Sequence, residues 1–336
     1  MKRVRRLIKI FLSYLFFYSG LLRIIRRMRR PDGEFRILMY HHITENGEGG
    51  LPVSIFEKQI SWVRKNYPLM SLKELLLCQK EGREIPKRTL AVTFDDGYRD
   101  FLTGAYPILK EKGVPVTLFT VVECLNHKPL WTESVKYWFE KTLARKLDIT
   151  LNGEKYSFPL ENTEEKTTAS ARLKEHLKHV KDEERQTRLL EIQKKLLGNG
   201  EAANMPSPML NWEEILELAR DGVEIGAHTL NHPILSRVSL LEARRQIVAS
   251  KESLEQRLKK TVHLFSYPNG KAEDFTEEIK EIVQESGFLG ACTTIEGRND
   301  PSSDLYALKR IATWERSLPI FACDLAGCFD FLRRGE

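Results

Sequence analysis

Residues 90–97 read LAVTFDDG: an apolar run from Leu90 to Phe94, two adjacent carboxylates, Asp95 and Asp96, and a glycine, Gly97. A short apolar run that stops at a turn signal is the pattern of a strand buried on both faces, as in a parallel sheet. Parallel α/β folds place their reactive groups at the C-terminal tips of such strands. Neighbouring carboxylates on an extended chain point to opposite sides, so Asp95 and Asp96 should play different roles. One can face a cation while the other faces a water beside it, and Gly97 permits the sharp exit. Alone, Asp-Asp-Gly also makes ordinary turns.

On either side the same rhythm repeats. Strand-like runs occupy residues 35–40 (FRILMY), 116–122, 223–227, 262–267 and 288–293. Helical spacing separates them: Phe56, Ile60 and Val63 form one stripe, and Phe101, Ala105, Ile108 and Leu109 another. Helices are also expected at 240–258 and near 275–284, and two others are expected to start at the caps Ser71…Glu74 and Asn211…Glu214. Alternation of this kind predicts a parallel α/β body. Residues 125–205 interrupt it with an aromatic cluster (Trp131, Tyr137, Trp138, Phe139) and a charged helix from about 163 to 197, closed by Asn199-Gly200, Pro206 and Pro208. The expected organisation is an N-terminal segment, 1–33, ending at Pro31-Asp32-Gly33, and one body, 34–336, with a helical insertion over 125–205.

Charge narrows the function classes. The 336-residue chain has 53 Lys and Arg, 47 Asp and Glu, and a formal net charge of +6. Ten of the basic residues and no acid fall within residues 1–30, so the body carries 43 bases against 47 acids, a net of −4. A nucleic-acid partner would need cations spread over the body, so no nucleic-acid role is expected. Within 1–30 the uncharged stretch from Ile10 to Leu22 is thirteen residues, short of the roughly 20 that a spanning helix needs. Basic clusters flank both ends, and no A-x-A cleavage pattern follows. The segment reads as a helix lying on a membrane surface, with a signal anchor spanning residues 7–25 as the alternative and packing on the body less favoured. The chain is therefore expected at the cytoplasmic membrane, its side unassigned. Five scattered cysteines, Cys78, Cys124, Cys292, Cys323 and Cys328, show no ligand or redox spacing and read as buried apolar residues.

Two further strand ends carry chemistry. Residues 226–233 read GAHTLNHP, and two histidines four apart, His228 and His232, can reach one cation from the same side of a turn. Pro233 prevents an ordinary helix from running through them. Two imidazoles and one carboxylate leave positions open for water, as a catalytic ion requires. Residues 265–270 read FSYPNG, and a turn of this kind can aim a backbone N–H at a developing oxyanion.

TFDDG, HTLNHP and FSYPNG, in that order, resemble the motifs of the polysaccharide deacetylase family, the NodB-homology or carbohydrate esterase family 4 group, over about residues 35–315. The resemblance implies a distorted (β/α)7 barrel and a metal-dependent hydrolase that removes N-acetyl groups from sugars. It implies Asp95 as general base, Asp96, His228 and His232 as metal ligands, and the backbone N–H of Asn269 at the oxyanion. A bound divalent ion polarises the acetyl carbonyl and lowers the pKa of its water. Zinc is the default for such a ligand set, with Fe, Co, Ni and Mn compatible. Residues 38–43 (LMYHHI) resemble an opening motif of members acting on exported polysaccharides such as poly-N-acetylglucosamine. The expected partners are an N-acetylated glycan or lipid-linked saccharide and a membrane surface met by residues 1–30.

Two positions depart from the family pattern. Ser266 stands where many members have an arginine beside the base, so that charge is missing or supplied elsewhere. No histidine follows His263, so the acid that protonates the leaving amine must come from another place; His41 and His42 are the candidates, with Arg310 as an electrostatic helper. Tyr267, Pro268, Trp131 and Arg310 are candidate substrate contacts, Trp131 alternatively belonging to a helix of the insertion packed on the barrel. Two other functions stay open: a non-catalytic glycan-binding member of the fold, and a hydrolase of a different amide or ester.

Overall fold

The computed structural model describes residues 2–28, 33–198, 205 and 207–329. Seven parallel strands close into a barrel: β1 (Phe35–Tyr40), then, past a short pair formed by β2 (Ile43–Thr44) and β3 (Leu51–Pro52), β4 (Thr89–Phe94) and β5 (Val116–Thr120). Beyond a hairpin of β6 (Lys146–Leu151) and β7 (Glu154–Pro159) come β8 (Glu224–Ala227), β9 (Leu264–Ser266), β10 (Gly290–Glu296) and β11 (Leu308–Ala312). The barrel order is β1-β11-β10-β9-β8-β5-β4, with β1 also pairing β4 in register from Phe35↔Thr89 to Tyr40↔Phe94.

The apolar alternation explains the closure. Leu38, Tyr40, Leu90, Val92, Phe94 and Leu118 join a core with Phe56, Ile60 and Val63 of a surrounding helix, which marks the outward face of the strands. Their alternates, Phe35, Ile37, Ala91, Phe119, Leu264, Cys292 and Leu308, form a second cluster that fills the interior. Because side chains alternate along a strand, Thr93 and Asp95, Ser266, and Arg310 share the parity of Ala91, Leu264 and Leu308. All four are buried, so the polar layer sits on top of the apolar plug, at the mouth. Close strand packing shows at Gly226, where an added Cβ would lie 2.4 Å from Cδ1 of Phe119.

Helices flank the strands: α1 (Lys2–Tyr18) and α2 (Leu21–Met28) precede the barrel, α3 (Val53–Asn66) and α4 (Leu72–Glu81) follow β3, and α5 (Tyr106–Glu111) follows β4. Three more, α6 (Trp131–Lys141), α7 (Thr163–Lys178) and α8 (Asp182–Leu197), lie between β5 and β8. After them come α9 (Trp212–Arg220), α10 (Leu240–Leu258), α11 (Glu277–Glu285) and α12 (Leu318–Ala326). The expected caps form: Ser71 accepts from the Glu74 N–H, and Asn211 and Glu214 make a reciprocal box at 2.9 Å each way. The five cysteines are buried and none is in a disulfide.

Three expectations need correction. The insertion is not wholly helical, since β6 and β7 are antiparallel strands joined at Asn152-Gly153, with Leu147, Ile149 and Leu151 facing inward. It has its own core, in which Val135, Phe139, Phe158, Leu173 and Ile192 are buried. The charged helix expected over 163–197 is two helices, broken at residues 179–181, where Val180 is buried in that core. The N-terminal segment is also two helices, bent by 92° at Ser19-Gly20, where Gly20 has φ 80°. One side of it packs on α12 around Leu22, Ala322, Cys323 and Ala326, so packing on the body, the less favoured reading, does occur. Pro31-Asp32, Asn199-Gly200 and Pro206 lie outside the described residues.

Candidate metal centre

Each reactive group rides on a strand end. Asp95 and Asp96 leave β4, and the Asp95 N–H donates to Tyr40 O at 3.0 Å, which carries the sheet ladder one residue past the strands. Asp96 then adopts φ 74° and Gly97 φ 79°, so the chain turns out of the barrel mouth. The His228 N–H donates to Thr120 O at 3.0 Å and continues the β8–β5 ladder in the same way. Beyond it Thr229 has φ 68°, unusual for a β-branched residue. Local bonds hold this turn: Thr229 Oγ1 accepts from the His232 N–H at 3.0 Å, and Gln246 Oε1 accepts from the N–H groups of Leu230 and Asn231. Of eight non-glycine residues with positive φ among those described, four are Asp96, Thr229, His232 and Asn269. Strain is concentrated where the reactive groups are, as at sites whose surroundings over-determine them.

Asp96 Oδ1 lies 3.3 Å from His228 Nε2 and 3.4 Å from His232 Nε2. One atom from each of the three residues can be chosen so that all lie within 4.8 Å of one another. The tautomer suits a ligand role. His228 Nδ1 is 2.7 Å from Ser266 O, and a carbonyl only accepts, so the ring proton is assigned to Nδ1 and the lone pair to Nε2, facing Asp96. Two imidazole nitrogens and one carboxylate oxygen, all on largely buried side chains, are the donor set of an open divalent site.

Asp95 has a different neighbourhood. Arg310 Nη1 donates to its Oδ1 at 2.7 Å and Arg310 Nη2 to its Oδ2 at 2.5 Å, a bidentate pair. The same guanidinium donates through Nε to Thr293 O, and also to Thr93 Oγ1 and Ser266 Oγ. Burial pushes the Asp95 carboxyl up, yet the charge and hydrogen bonds of Arg310 overcome it, and Asp95 stays ionised. Arg310 thus supplies, from β11, the cation missing at Ser266. Its assignment as a substrate contact is corrected, because the side chain is fully buried and committed to Asp95 and its neighbours.

The two histidines after β1 part company. His41 Nε2 is 4.0 Å from Asp95 Oδ2, and its ring stacks on Trp314 at 5.4 Å between centroids. Burial lowers its pKa; Asp96 and Asp95 oppose this, and Arg310 adds to it. His42 turns away to Asp100, with Nδ1 2.6 Å from Oδ2, and lies against Tyr98. Trp314 is a neighbour of His41 that the sequence does not reveal, because nothing in it marks residues 313–317 as the barrel rim.

Among the remaining expected contacts, Tyr267 is corrected: it is 1% exposed, stacks on Phe275 and donates its hydroxyl to Tyr306 O at 2.9 Å. Pro268 is buried with it. Asn269 stands on the turn with φ 59°, its Nδ2 donating to Asp274 and its carbonyl accepting from Thr294 Oγ1 at 2.6 Å. Gly270 is required here, since a Cβ would come within 2.9 Å of Thr294 N. Trp131 begins α6 one residue after Leu130, which packs on Tyr98 beside the Asp95-Asp96 turn. The indole packs on the insertion core with the Arg185 guanidinium 5.1 Å over its ring, not on the barrel.

A closed parallel barrel thus gathers two carboxylates and two imidazoles at its mouth, one carboxylate locked to an arginine, a set of groups suited to hydrolysis. The sequence matches the family model for polysaccharide deacetylase over residues 82–143 and 177–290. That is just over half of the chain, which belongs to the polysaccharide deacetylase family and is a hydrolase. The match passes over residues 144–176, which contain the β6–β7 hairpin. The chain is similar to YxkH of Bacillus subtilis strain 168, named as a polysaccharide deacetylase, with 21% identity over 82% of this chain and 70% of that one. A poly-β-1,6-N-acetyl-D-glucosamine N-deacetylase of Staphylococcus aureus (strain MSSA476) is 39% identical over 69 residues, 20% of this chain and 23% of that one. Among solved structures, the Streptococcus pyogenes deacetylase PplD in complex with acetate superposes with a TM-score of 0.58 at 18% identity, over 88% of this chain and 99% of that one.

Proposed function

We propose that this hydrolase removes N-acetyl groups from a glycan rich in N-acetylglucosamine, with Asp95 as general base and Asp96, His228 and His232 as ligands of a divalent ion, zinc by default. The bidentate Arg310–Asp95 pair carries the reading, because it keeps a buried carboxylate ionised beside a cluster suited to a cation. The substrate class rests on the motif at residues 38–43 and on the name of the Staphylococcus aureus relative.

A divalent ion held by Asp96, His228 and His232 would act as a Lewis acid toward the acetyl carbonyl and acidify water beside it. Asp95, ionised and anchored by Arg310, takes up the proton of the attacking water. Its hydrogen bonds to a fixed guanidinium hold the carboxylate in one orientation, so little is lost in positioning it. The backbone N–H of Asn269, on a turn fixed by Asp274 and Thr294, donates to the developing oxyanion. Departure of the amine needs a proton. His41, held neutral by burial and 4.0 Å from Asp95, passes on to the leaving nitrogen the proton that Asp95 has accepted. His42 is spent on Asp100 and takes no part.

Acetate release from N-acetylglucosamine oligomers by the purified protein tests this reading. It should require the metal, stop on chelation and return on adding zinc or another first-row ion. Metal-loaded protein that binds the oligomers and releases no acetate would instead mark a glycan-binding member of the fold. Release from an unrelated ester or amide alone would assign it a different substrate.

A further inference from the structure

The molecule shows fourteen exposed large hydrophobic side chains among the described residues, and nine of them lie on α1 and α2. They form stripes. On α1, Leu7, Phe11, Tyr14, Leu15 and Tyr18 recur at three- and four-residue intervals, with Phe11 67% and Tyr18 74% exposed. On α2, Leu21, Ile24 and Met28 continue the pattern, Met28 at 79% exposure. The opposite side of α1 is fastened to the body. Ser13 is fully buried, Phe16 stacks on Phe329 at 6.2 Å, and Lys9 pairs with Asp324 at 2.8 Å. On α2, Leu22 is buried and the Arg26 guanidinium lies 5.4 Å over Trp62. The two helices are therefore one bent plate with an inner face glued to α12 and an outer face left apolar.

The plate has a charge of one sign. Residues 1–30 contain ten Lys or Arg and no acid, and Lys9 pairs with Asp324 of α12. No single helix among the described residues is long and apolar enough to cross a membrane; α1 and α2 meet the length only as a pair bent by 92°. Apolar stripes rimmed by cations on helices too short to span match the interfacial zone of an anionic bilayer. The plate also adjoins the site. α12 starts four residues after Trp314, the exposed indole that stacks on His41, and Tyr14 of α1 meets Ser317 Oγ at 3.4 Å.

We infer that the bent α1–α2 plate docks the barrel on an anionic membrane surface and sets the mouth, through the 313–317 segment, to take glycan held at that surface. This rests on the deacetylase reading for its substrate but not for the docking. A saccharide tethered to a lipid would then reach Asp95 without leaving the interface, and the enzyme would favour it over the same saccharide free in water.

The test uses the full chain and sucrose-loaded vesicles of phosphatidylcholine, with or without phosphatidylglycerol. Sedimentation with the mixed vesicles and weak binding to the neutral ones are expected. The Phe11→Asp, Tyr18→Asp double variant should lose about tenfold or more in vesicle affinity. Its acetate release from a soluble N-acetylglucosamine oligomer should stay at the wild-type level, which also checks folding. Arg6→Glu with Arg27→Glu should remove the preference for phosphatidylglycerol. A lipid-tethered N-acetylglucosamine oligomer in those vesicles should be deacetylated faster than its soluble counterpart by wild type and not by the Phe11, Tyr18 variant. Absence of vesicle binding, binding that survives both variants, or resistance to alkaline carbonate wash would overturn docking at the surface. Conversion of a dimer to a monomer by Phe11→Asp and Tyr18→Asp, with vesicle binding unchanged, would assign the face to a second copy. Vesicle binding without acetate release from either substrate would leave docking intact and refute the deacetylase reading.

Discussion

Replacing Arg310 by Met removes the cation on which the ionised state of Asp95 depends. The guanidinium makes two bonds to Asp95 and one each to Thr293 O, Thr93 Oγ1 and Ser266 Oγ, with no exposed surface. Truncating one member of a buried, hydrogen-bonded pair costs about 3–5 kcal/mol, because the partner charge stays buried. A domain has about 5–15 kcal/mol in total, so R310M should fold with a Tm lowered on the order of 5–15 °C. Burial of Asp95, now unopposed by Arg310, would favour the neutral acid, so the acidic limb of kcat/KM should move up by about one pH unit or more. The sign for stability follows. In the native enzyme Asp95 sits below its ordinary pKa, so it stabilises the fold above the unfolded value of about 3.9 and loses this as pH falls through the folded value. R310M should lack that acid-side loss. The double variant D95N/R310M removes the stranded charge and should recover about 1–3 kcal/mol relative to R310M in urea unfolding. A double variant no more stable than R310M, together with an acidic limb of R310M that stays at the wild-type position, would refute the assignment of Arg310 as the partner of Asp95.

Three smaller perturbations probe the surrounding parts. His41→Ala should lower kcat by about 10²–10⁴ while leaving metal content and KM near wild type, checked by steady-state acetate release. Ser266→Ala removes an Oγ that bonds Arg310 at 3.1 Å but keeps the carbonyl that fixes His228, so stability should fall by only about 0.5–1.5 kcal/mol and metal affinity should not change. Gly226→Ala drives a methyl into Phe119 where β5 and β8 pack, which should cost about 1–3 kcal/mol by thermal unfolding and disturb His228 two residues on.

Much of this molecule can be read from local pattern because the barrel strands are short apolar runs ending in polar turns. β1 and the helix α10 fall on residues 35–40 and 240–258, as their apolar spacing requires. β11 escapes that reading: Leu308-Lys309-Arg310-Ile311-Ala312 alternates with two long cations, and half its polar content is buried for a reason 215 residues away. Recognising it as a strand would have put Arg310 on the same face as Leu308 and hence in the barrel interior with Asp95. The two-helix break within α7–α8 and the β6–β7 hairpin were masked in the same way. Residues 146–159 are rich in Lys, Glu and Asp on the solvent side, and only their alternates face the small insertion core. That Asp96, His228 and His232 gather at one place was legible because the three residues come from two compact motifs. The fit of His41 over His42 was not, since both follow β1 and only their contacts with Trp314 and Asp100 tell them apart.

The most direct test of the site is the metal content and turnover of Asp95→Asn set beside Asp96→Ala. Asp95, the proposed base, and Asp96, the proposed ligand, stand next to each other in sequence, yet their side chains meet different partners, Arg310 and the histidine pair. The account predicts that D95N retains one divalent ion per chain, still binds N-acetylglucosamine oligomers and releases essentially no acetate, while D96A fails to hold the ion. Turnover persisting in metal-loaded D95N, or full metal occupancy in D96A, would contradict it.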